Sequence, residues 1–187
     1  MSGARTPACS AGTPVSVPGL AGGRAVMSAC ATMLLLSLLL PVLPAAAPAL
    51  QPVDEAGVRQ ILQANRGKIV LFDFWATWCD PCRAELPALV KLEEKYRSRG
   101  VVLVTISCDS PDSGRAAAGF LRKTGVRPPF YIKRVQNDED FINSVDVKWS
   151  GALPALFLYD RAGTRAGSFF GETDSVEIER AISKLFP

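Results

Sequence analysis

Two cysteines separated by two residues stand where an apolar strand is followed by a helix. Cys79 and Cys82 are one helical turn apart, and residues 69–75 before them are almost all apolar, which is typical of a strand buried on both faces. A helix that begins near Cys79 has unpaired amide groups and partial positive charge at its first turn, and both favour the thiolate form of Cys79. The spacing therefore predicts a dithiol that cycles with a disulfide.

The two thiols are expected to have different roles. Cys79, at the start of the helix, is the predicted nucleophile. Cys82 lies deeper on the same helix face and within disulfide reach, so it can attack a mixed disulfide formed by Cys79 and release the substrate. Cys82 is therefore the predicted resolving thiol.

A pair of cysteines at this spacing can also be half of a zinc site, which usually needs four ligands from Cys, His or carboxylates. The chain has no histidine, and Cys9 and Cys30 lie in a segment that we expect to be removed. Cys108 is then the remaining thiol, so we expect no metal and no bound cofactor. Cys108 itself is interpreted as a small buried hydrophobe, with a third redox thiol as the alternative.

The run from Asp73 to Pro87, DFWATWCDPCRAELP, resembles the thioredoxin superfamily, and within it the TlpA/ResA-like exported thiol-disulfide oxidoreductases. The resemblance covers roughly residues 50–187. Pro154 precedes an apolar strand, at the position where thioredoxins place a cis-proline that faces the two cysteines. The resemblance implies an α/β thioredoxin fold with a central mixed β-sheet flanked by helices and a TlpA-like insertion in mid-fold.

The hydrophobic pattern of the rest of the chain agrees with an α/β fold. It predicts helices at residues 54–65, 79–99, 116–123, 138–144 and 175–186, and strands at residues 69–75, 101–107, 130–132, 155–159 and 164–170. The last two strands are predicted to form an antiparallel hairpin. We expect residues 50–187 to form one thioredoxin-like domain and the protein to be a monomer.

Asp73 is a candidate for proton transfer because it stands inside an apolar strand. A carboxylate without a partner is costly there, so we expect Asp73 to be protonated or specially hydrated. The alternative is a partly exposed position with a salt bridge. Thioredoxins carry an aspartate at the matching position, and the resemblance implies that it assists proton transfer to or from the resolving cysteine.

Glu85 is a second candidate. It is in helical register with Leu89 and Leu92, so it is predicted to share their buried face, and a solvated helix carboxylate is the alternative. In the ResA-like branch a glutamate at this position tunes the protonation of the cysteines. TlpA-like chains often carry Asn where Asp73 stands, so the division of proton transfer between the two acids stays open.

Three residues are predicted to contact the substrate. Pro154 is expected to place its backbone beside Cys79, where an extended substrate strand can pair with exposed main chain. The resemblance implies that the preceding residue, Leu153, influences substrate choice. Trp78 is expected to offer an apolar surface to the substrate, and Trp75 either does the same or packs in the core.

The amino terminus has the pattern of a signal peptide or an anchor, and we assign residues 1–49 to it. Arg5 and Arg24 precede an apolar run at residues 29–43, and small residues follow. This run is shorter than the about 20 residues that a transmembrane helix needs, so we expect a cleaved leader, with an uncleaved anchor through residues 29–43 as the alternative. Either one implies export to the periplasm, an oxidising compartment.

These features are interpreted as an exported thiol-disulfide oxidoreductase that works mainly as a reductase on disulfide-bearing protein substrates. The resemblance implies a membrane donor of reducing equivalents, and some relatives of this kind serve cytochrome c maturation. The net charge of +3 is small and no Lys/Arg cluster is interleaved with aromatic residues, so no nucleic-acid partner is expected. The alternatives are a redoxin-type thiol peroxidase, which needs a threonine and an arginine beside the cysteine, and a non-catalytic thioredoxin-fold adaptor.

Overall fold

The computed structural model describes residues 49–187, and the predicted leader lies almost wholly outside the described residues. The strands are β1 (Leu50–Val53), β2 (Ile69–Trp75), β3 (Val101–Ser107), β4 (Phe130–Lys133), β5 (Ala155–Tyr159) and β6 (Arg165–Phe170). The α-helices are α1 (Glu55–Ala64), α2 (Asp80–Tyr96), α3 (Gly114–Thr124), α4 (Asp138–Val145) and α5 (Ser175–Ser183). Within residues 49–187, no helix combines the length and the apolar character that crossing a bilayer requires.

The strands form one mixed sheet in the order β1-β4-β3-β2-β5-β6. The first four strands in this order pair in parallel, whereas β5 runs antiparallel to β2 and β6 antiparallel to β5. This arrangement confirms the predicted α/β class with a central mixed sheet. The segment between β3 and β5, where the resemblance implied an insertion, folds into α3, β4 and α4, and β4 adds a strand between β1 and β3.

Strand β2 lies in the middle of the sheet and all seven of its residues are buried. Side chains alternate between the two faces of a strand. Phe72 and Phe74 accordingly pack into the core cluster that contains Trp149 and Phe157. Leu71 and Trp75 pack into the other cluster, together with the residues of α2. The cysteines at the start of α2 therefore follow a strand that is fully buried in the middle of the sheet.

One strand was not predicted, and several helix boundaries differ from the prediction, among them the ends of α2 and of α5. Strand β1 was not expected, because Gln51 and Pro52 interrupt the apolar pattern and the strand pairs only with β4, at the edge of the sheet. The predicted helix at residues 79–99 is α2 followed by one 3-10 turn, Arg97–Arg99. Gly100 ends this turn with φ of 85°, a left-handed conformation that glycine adopts at little cost.

Candidate active site

The two predicted redox cysteines lie at the amino-terminal end of α2 and are joined by a disulfide. Cys79 is the N-cap of the helix, and its Sγ accepts a hydrogen bond of 3.3 Å from the Cys82 amide. Cys79 is 5% exposed and Cys82 is 2% exposed. In the reduced protein, the same amide and the positive end of the helix would stabilise a thiolate on Cys79.

A buried carboxylate that the sequence did not reveal holds the loop that leads to Cys79. Both oxygens of Asp109 accept hydrogen bonds from the Thr77 amide, at 3.1 and 3.0 Å, and Oδ1 also accepts from the Thr77 hydroxyl at 2.6 Å. The hydroxyl of Ser107 donates to Oδ2 of Asp109 at 2.7 Å. Asp109 therefore fixes the loop two residues before Cys79 to the end of β3.

Asp73 lies on the sheet face that α2 covers. It stands between Leu71 and Trp75 in the strand, and these two residues share a core cluster with Cys82. Asp73 is 3% exposed, and its Oδ2 has no hydrogen-bond partner among residues 49–187. Burial, and next the negative charge of Glu85, raise the pKa of Asp73 well above its ordinary value. The partly exposed, salt-bridged alternative is therefore wrong.

Glu85 is half-buried on α2, three residues after Cys82. Glu85 lines a cavity of about 330 Å³ between the amino-terminal half of α2 and the loop before α5. Burial, and next the charge of Glu172 on that loop, raise the pKa of Glu85 to about 7. Glu172 lines the same cavity, and sequence reasoning missed it because it is 87 positions away from Glu85 with no motif around it.

A second cavity is lined by two of the three predicted substrate residues. Trp78, 69% exposed, and Leu153 line a cavity of about 220 Å³. The Leu153–Pro154 peptide bond is cis. The carbonyl of Pro154 accepts a hydrogen bond from the Gly171 amide at 2.9 Å, whereas the main chain of Leu153 bonds to no described residue. The main chain available for pairing is therefore that of Leu153.

The sequence left two roles open for Trp75 and two for Cys108. Trp75 is fully buried and packs against Phe120 with ring centroids 5.3 Å apart, which makes it a core residue. Cys108 is half-buried and lines the same cavity as Trp78. Burial, as the largest cause, raises the pKa of Cys108 to about 12, so its thiol stays protonated at neutral pH.

In residues 49–187, no group of three or more His, Cys, Asp and Glu side chains is arranged to hold a metal ion.

Comparison with known proteins agrees with this geometry. Residues 44–164 match the model of the AhpC/TSA family. The chain is 31% identical to the thiol-disulfide oxidoreductase ResA of Bacillus thuringiensis strain Al Hakam over 141 residues. This alignment covers 75% of this chain and 77% of that protein. It is 28% identical to the thioredoxin-like protein YneN of Bacillus subtilis, over 68% of this chain and 71% of the relative.

Solved structures show the same fold. A thiol:disulfide interchange protein of the DsbE type from Chlorobium tepidum superposes with a TM-score of 0.55 at 27% identity, over 66% of this chain and 84% of that one. A DsbF homologue from Corynebacterium diphtheriae, 22% identical, superposes with a TM-score of 0.57 over 66% of this chain and 76% of its own, which supports the fold. The predicted thioredoxin-like fold is confirmed. The chain therefore belongs to the AhpC/TSA family and is a thiol-disulfide oxidoreductase of the ResA/DsbE type.

Proposed function

We propose that this oxidoreductase works as a reductase of disulfide-bearing proteins outside the cytoplasm. The observation that carries the proposal is a pair of acids near Cys82: Asp73 is buried on the sheet face that α2 covers, and Glu85 is half-buried on α2, three residues after Cys82. Negative charge beside a thiol opposes formation of its thiolate. A strong oxidant such as DsbA depends on a stabilised reduced form. Whenever either acid is ionised, its negative charge works against that stabilisation. The dithiol should therefore give up its electrons readily.

In the proposed reaction, the Cys79 thiolate attacks one sulfur of a substrate disulfide. A mixed disulfide forms on Cys79, the substrate S–S bond breaks, and the second substrate sulfur leaves as a thiolate that takes up a proton. Cys82 then attacks Sγ of Cys79, so that the Cys79–Cys82 disulfide forms and the mixed disulfide breaks. The first substrate sulfur leaves as a thiolate in this step and also takes up a proton. The substrate gains two electrons from the Cys79/Cys82 pair, Cys82 loses its proton, and solvent balances the protons that the two substrate thiols take up.

The acids have a defined task in the second step. Cys82 must lose its proton before it attacks, and it is 2% exposed, so water has little access to it. Asp73 shares its core face and accepts that proton in the proposed mechanism. The charge of Glu85 acts on Asp73, and Glu85 also lines the cavity that it shares with Glu172, so in the proposed mechanism Glu85 passes the proton outward. Burial raises the pKa of both acids, and that of Glu85 to about 7, so Glu85 can gain and lose a proton near neutral pH.

The cavity that Trp78 and Leu153 line is the proposed substrate site. Trp78 and Leu153 supply apolar contacts along its wall, and the unbonded main chain of Leu153 can pair with an extended substrate segment. Side chains next to the substrate cysteine would enter the cavity of about 220 Å³. Pairing through the main chain tolerates varied sequences, while the cavity selects among them.

We propose export, because the sequence before residue 49 has the pattern of a leader or an anchor. In an oxidising compartment the disulfide form accumulates unless a partner supplies electrons. A membrane protein that carries reducing equivalents is the proposed donor. The resemblance to TlpA/ResA-like proteins makes the CxxCH disulfide of an apocytochrome c a candidate substrate, and cytochrome c maturation a candidate process.

The side chains that a thiol peroxidase would need are engaged elsewhere. The Thr77 hydroxyl donates to Asp109. The Arg83 guanidinium pairs with Asp80 at 3.2 Å and lies over the ring of Phe120. We therefore expect the reduced protein to consume disulfides and not hydrogen peroxide.

Trapping of the mixed disulfide tests the proposal. The reduced Cys82→Ser variant, mixed with an oxidised CxxCH peptide, should form a stable adduct on Cys79 that mass spectrometry locates. The Cys79→Ser variant should form none, and Cys108→Ser should turn over like the unaltered protein. An adduct located on Cys108, or peptide reduction by Cys79→Ser, would contradict the assignment of the nucleophile. A non-catalytic adaptor would bind the peptide without turnover.

A further inference from the structure

A groove that contains neither Cys79 nor Cys82 is lined by three arginines and by no acidic side chain. It has a volume of about 580 Å³ and lies between the start of β1, the helix α3 and the end of β4. Its apolar lining includes Leu50 and Ile132, and its charged lining is Arg115, Arg122 and Arg134. The groove therefore combines an apolar surface with three guanidinium groups.

These guanidinium groups are available to an external anion. Arg115 and Arg122 are exposed and pair with no carboxylate within residues 49–187. Arg134 is half-buried, and its Nη1 donates to the carbonyl oxygens of Lys133 at 2.7 Å and Asp109 at 3.4 Å, which fixes its position without neutralising its charge. Some arginines elsewhere in the domain differ: Arg97 and Arg165 each pair with a carboxylate.

The position of the groove in the chain suggests what occupies it. Its lining begins at Ala49 and Leu50, and the apolar run at residues 29–43 ends only six residues before Ala49. Six residues span at most about 20 Å. Residues 1–48 contain no Asp or Glu, so that part of the chain offers no side-chain carboxylate to the arginines. An external anion close to the apolar run is the occupant with complementary charge.

We propose that this groove binds the phosphate groups of anionic phospholipids at the surface of the membrane that holds residues 29–43. Arginine binds phosphate oxygens through two parallel hydrogen bonds, and the apolar lining suits the glycerol and first methylene groups of a lipid. Each basic residue near an anionic membrane strengthens binding by about fivefold. The inference rests on the extracytoplasmic placement proposed above and takes the alternative of an uncleaved anchor through residues 29–43.

The test is the reactivity of individual arginines in the full chain, reconstituted in nanodiscs of phosphatidylcholine alone or of phosphatidylcholine mixed with phosphatidylglycerol. Modification by phenylglyoxal is followed residue by residue with mass spectrometry. In the anionic nanodiscs, Arg115 and Arg122 should react at least about fivefold more slowly than in the neutral ones. High salt should restore their rates, because it screens the interaction.

Arg66 and Arg180 are matched internal controls, because both are exposed and line no part of the groove; they should react equally in both lipids. Equal rates for Arg115 and Arg122 in the two lipids would overturn the inference, and so would equal slowing of all four arginines. If inorganic phosphate in neutral nanodiscs slowed the modification of Arg115 and Arg122 to the same degree, the groove would bind a free anion, and the proposal of a lipid would be wrong. Co-elution of the protein with neutral nanodiscs shows whether the anchor is retained. Reduction of the peptide shows whether the protein exchanges disulfides. A failure of either premise can therefore be told apart from a failure of lipid binding by the groove.

Discussion

At the scale of single residues, the acids beside the cysteines set the chemistry. Asp73 is buried without a partner for its Oδ2 among the described residues, and Glu85 is half-buried beside a second acid, Glu172. Charged carboxylates in such surroundings are costly, so both groups hold protons at higher pH than usual. Their proposed use is to exchange those protons with Cys82.

Replacement of Asp73 tests this use directly. Asp73→Asn keeps the size of the side chain but removes its proton exchange, so reaction with a substrate disulfide should slow by about tenfold or more. Stopped-flow kinetics across pH measure the effect, and circular dichroism checks that the fold is intact. Asp112→Asn, an exposed aspartate outside the site, is the control. An unchanged rate and pH profile in Asp73→Asn would contradict the proposed role.

The raised pKa of Glu85 predicts a pH dependence of stability. Its pKa is about 7 in the folded protein and 4.5 as the ordinary value. Between these values the folded state binds more protons than the unfolded state, so this contribution to stability is present below pH 4.5 and is lost as pH rises through 7. Glu85→Gln should therefore lose less stability than the unaltered protein over this range. Urea denaturation at several pH values measures it, and parallel curves would refute the prediction.

Glu172 should act on Glu85 through its charge. Glu172→Gln removes a negative charge from the cavity that the two acids share, so the pKa of Glu85 should fall. Observation of the Glu85 carboxyl carbon by NMR during a pH titration measures this shift. Glu177→Gln, on the exposed side of α5 and outside the cavity, should leave the titration unchanged. Equal shifts in both variants would mean that the effect is not local.

At the scale of elements, the parallel pairing of β2 and β3 builds the loop that holds Cys79. The two strands are in register up to Trp75 and Ser107, so the residues that follow them, Thr77 and Asp109, meet. This contact links positions 32 apart in sequence, and a pattern of apolar residues contains no information about it. The sequence therefore predicted the strands and the cysteines correctly but not the carboxylate that fixes the loop between them.

Asp109→Ala should destabilise the protein. The substitution leaves the amide and hydroxyl of Thr77 and the hydroxyl of Ser107 without their acceptor, and unpaired buried groups cost about 1–3 kcal/mol each at most sites. We expect the free energy of unfolding to fall by about 2 kcal/mol or more, measured by urea denaturation. Asp112→Ala, three residues along and exposed, should change it by less than about 0.5 kcal/mol. A similar loss in both variants would refute the role of Asp109.

For the molecule as a whole, the pattern of apolar residues predicted the elements that one continuous run of sequence forms. The apolar strand β2, the helix after it and the hairpin of β5 and β6 follow from runs of residues that are continuous in the chain. The groove of Arg115, Arg122 and Arg134 does not follow from one continuous run. Two of these arginines lie on α3 and the third follows β4, so these elements must come together before the three charges do. The edge strand β1 was missed for a related reason, since its pairing with β4 and not its composition makes it a strand.

A reductase and an oxidant of this fold differ in the direction of electron flow, and the reduction potential of the Cys79/Cys82 pair measures that direction. The full chain is equilibrated with dithiol buffers of known potential, and the fraction of disulfide is read by thiol labelling and mass spectrometry. A value near the thioredoxin end of the range, about −270 mV, is the predicted result for a reductase. A value near that of DsbA, about −120 mV, would contradict the account and make the protein an oxidant.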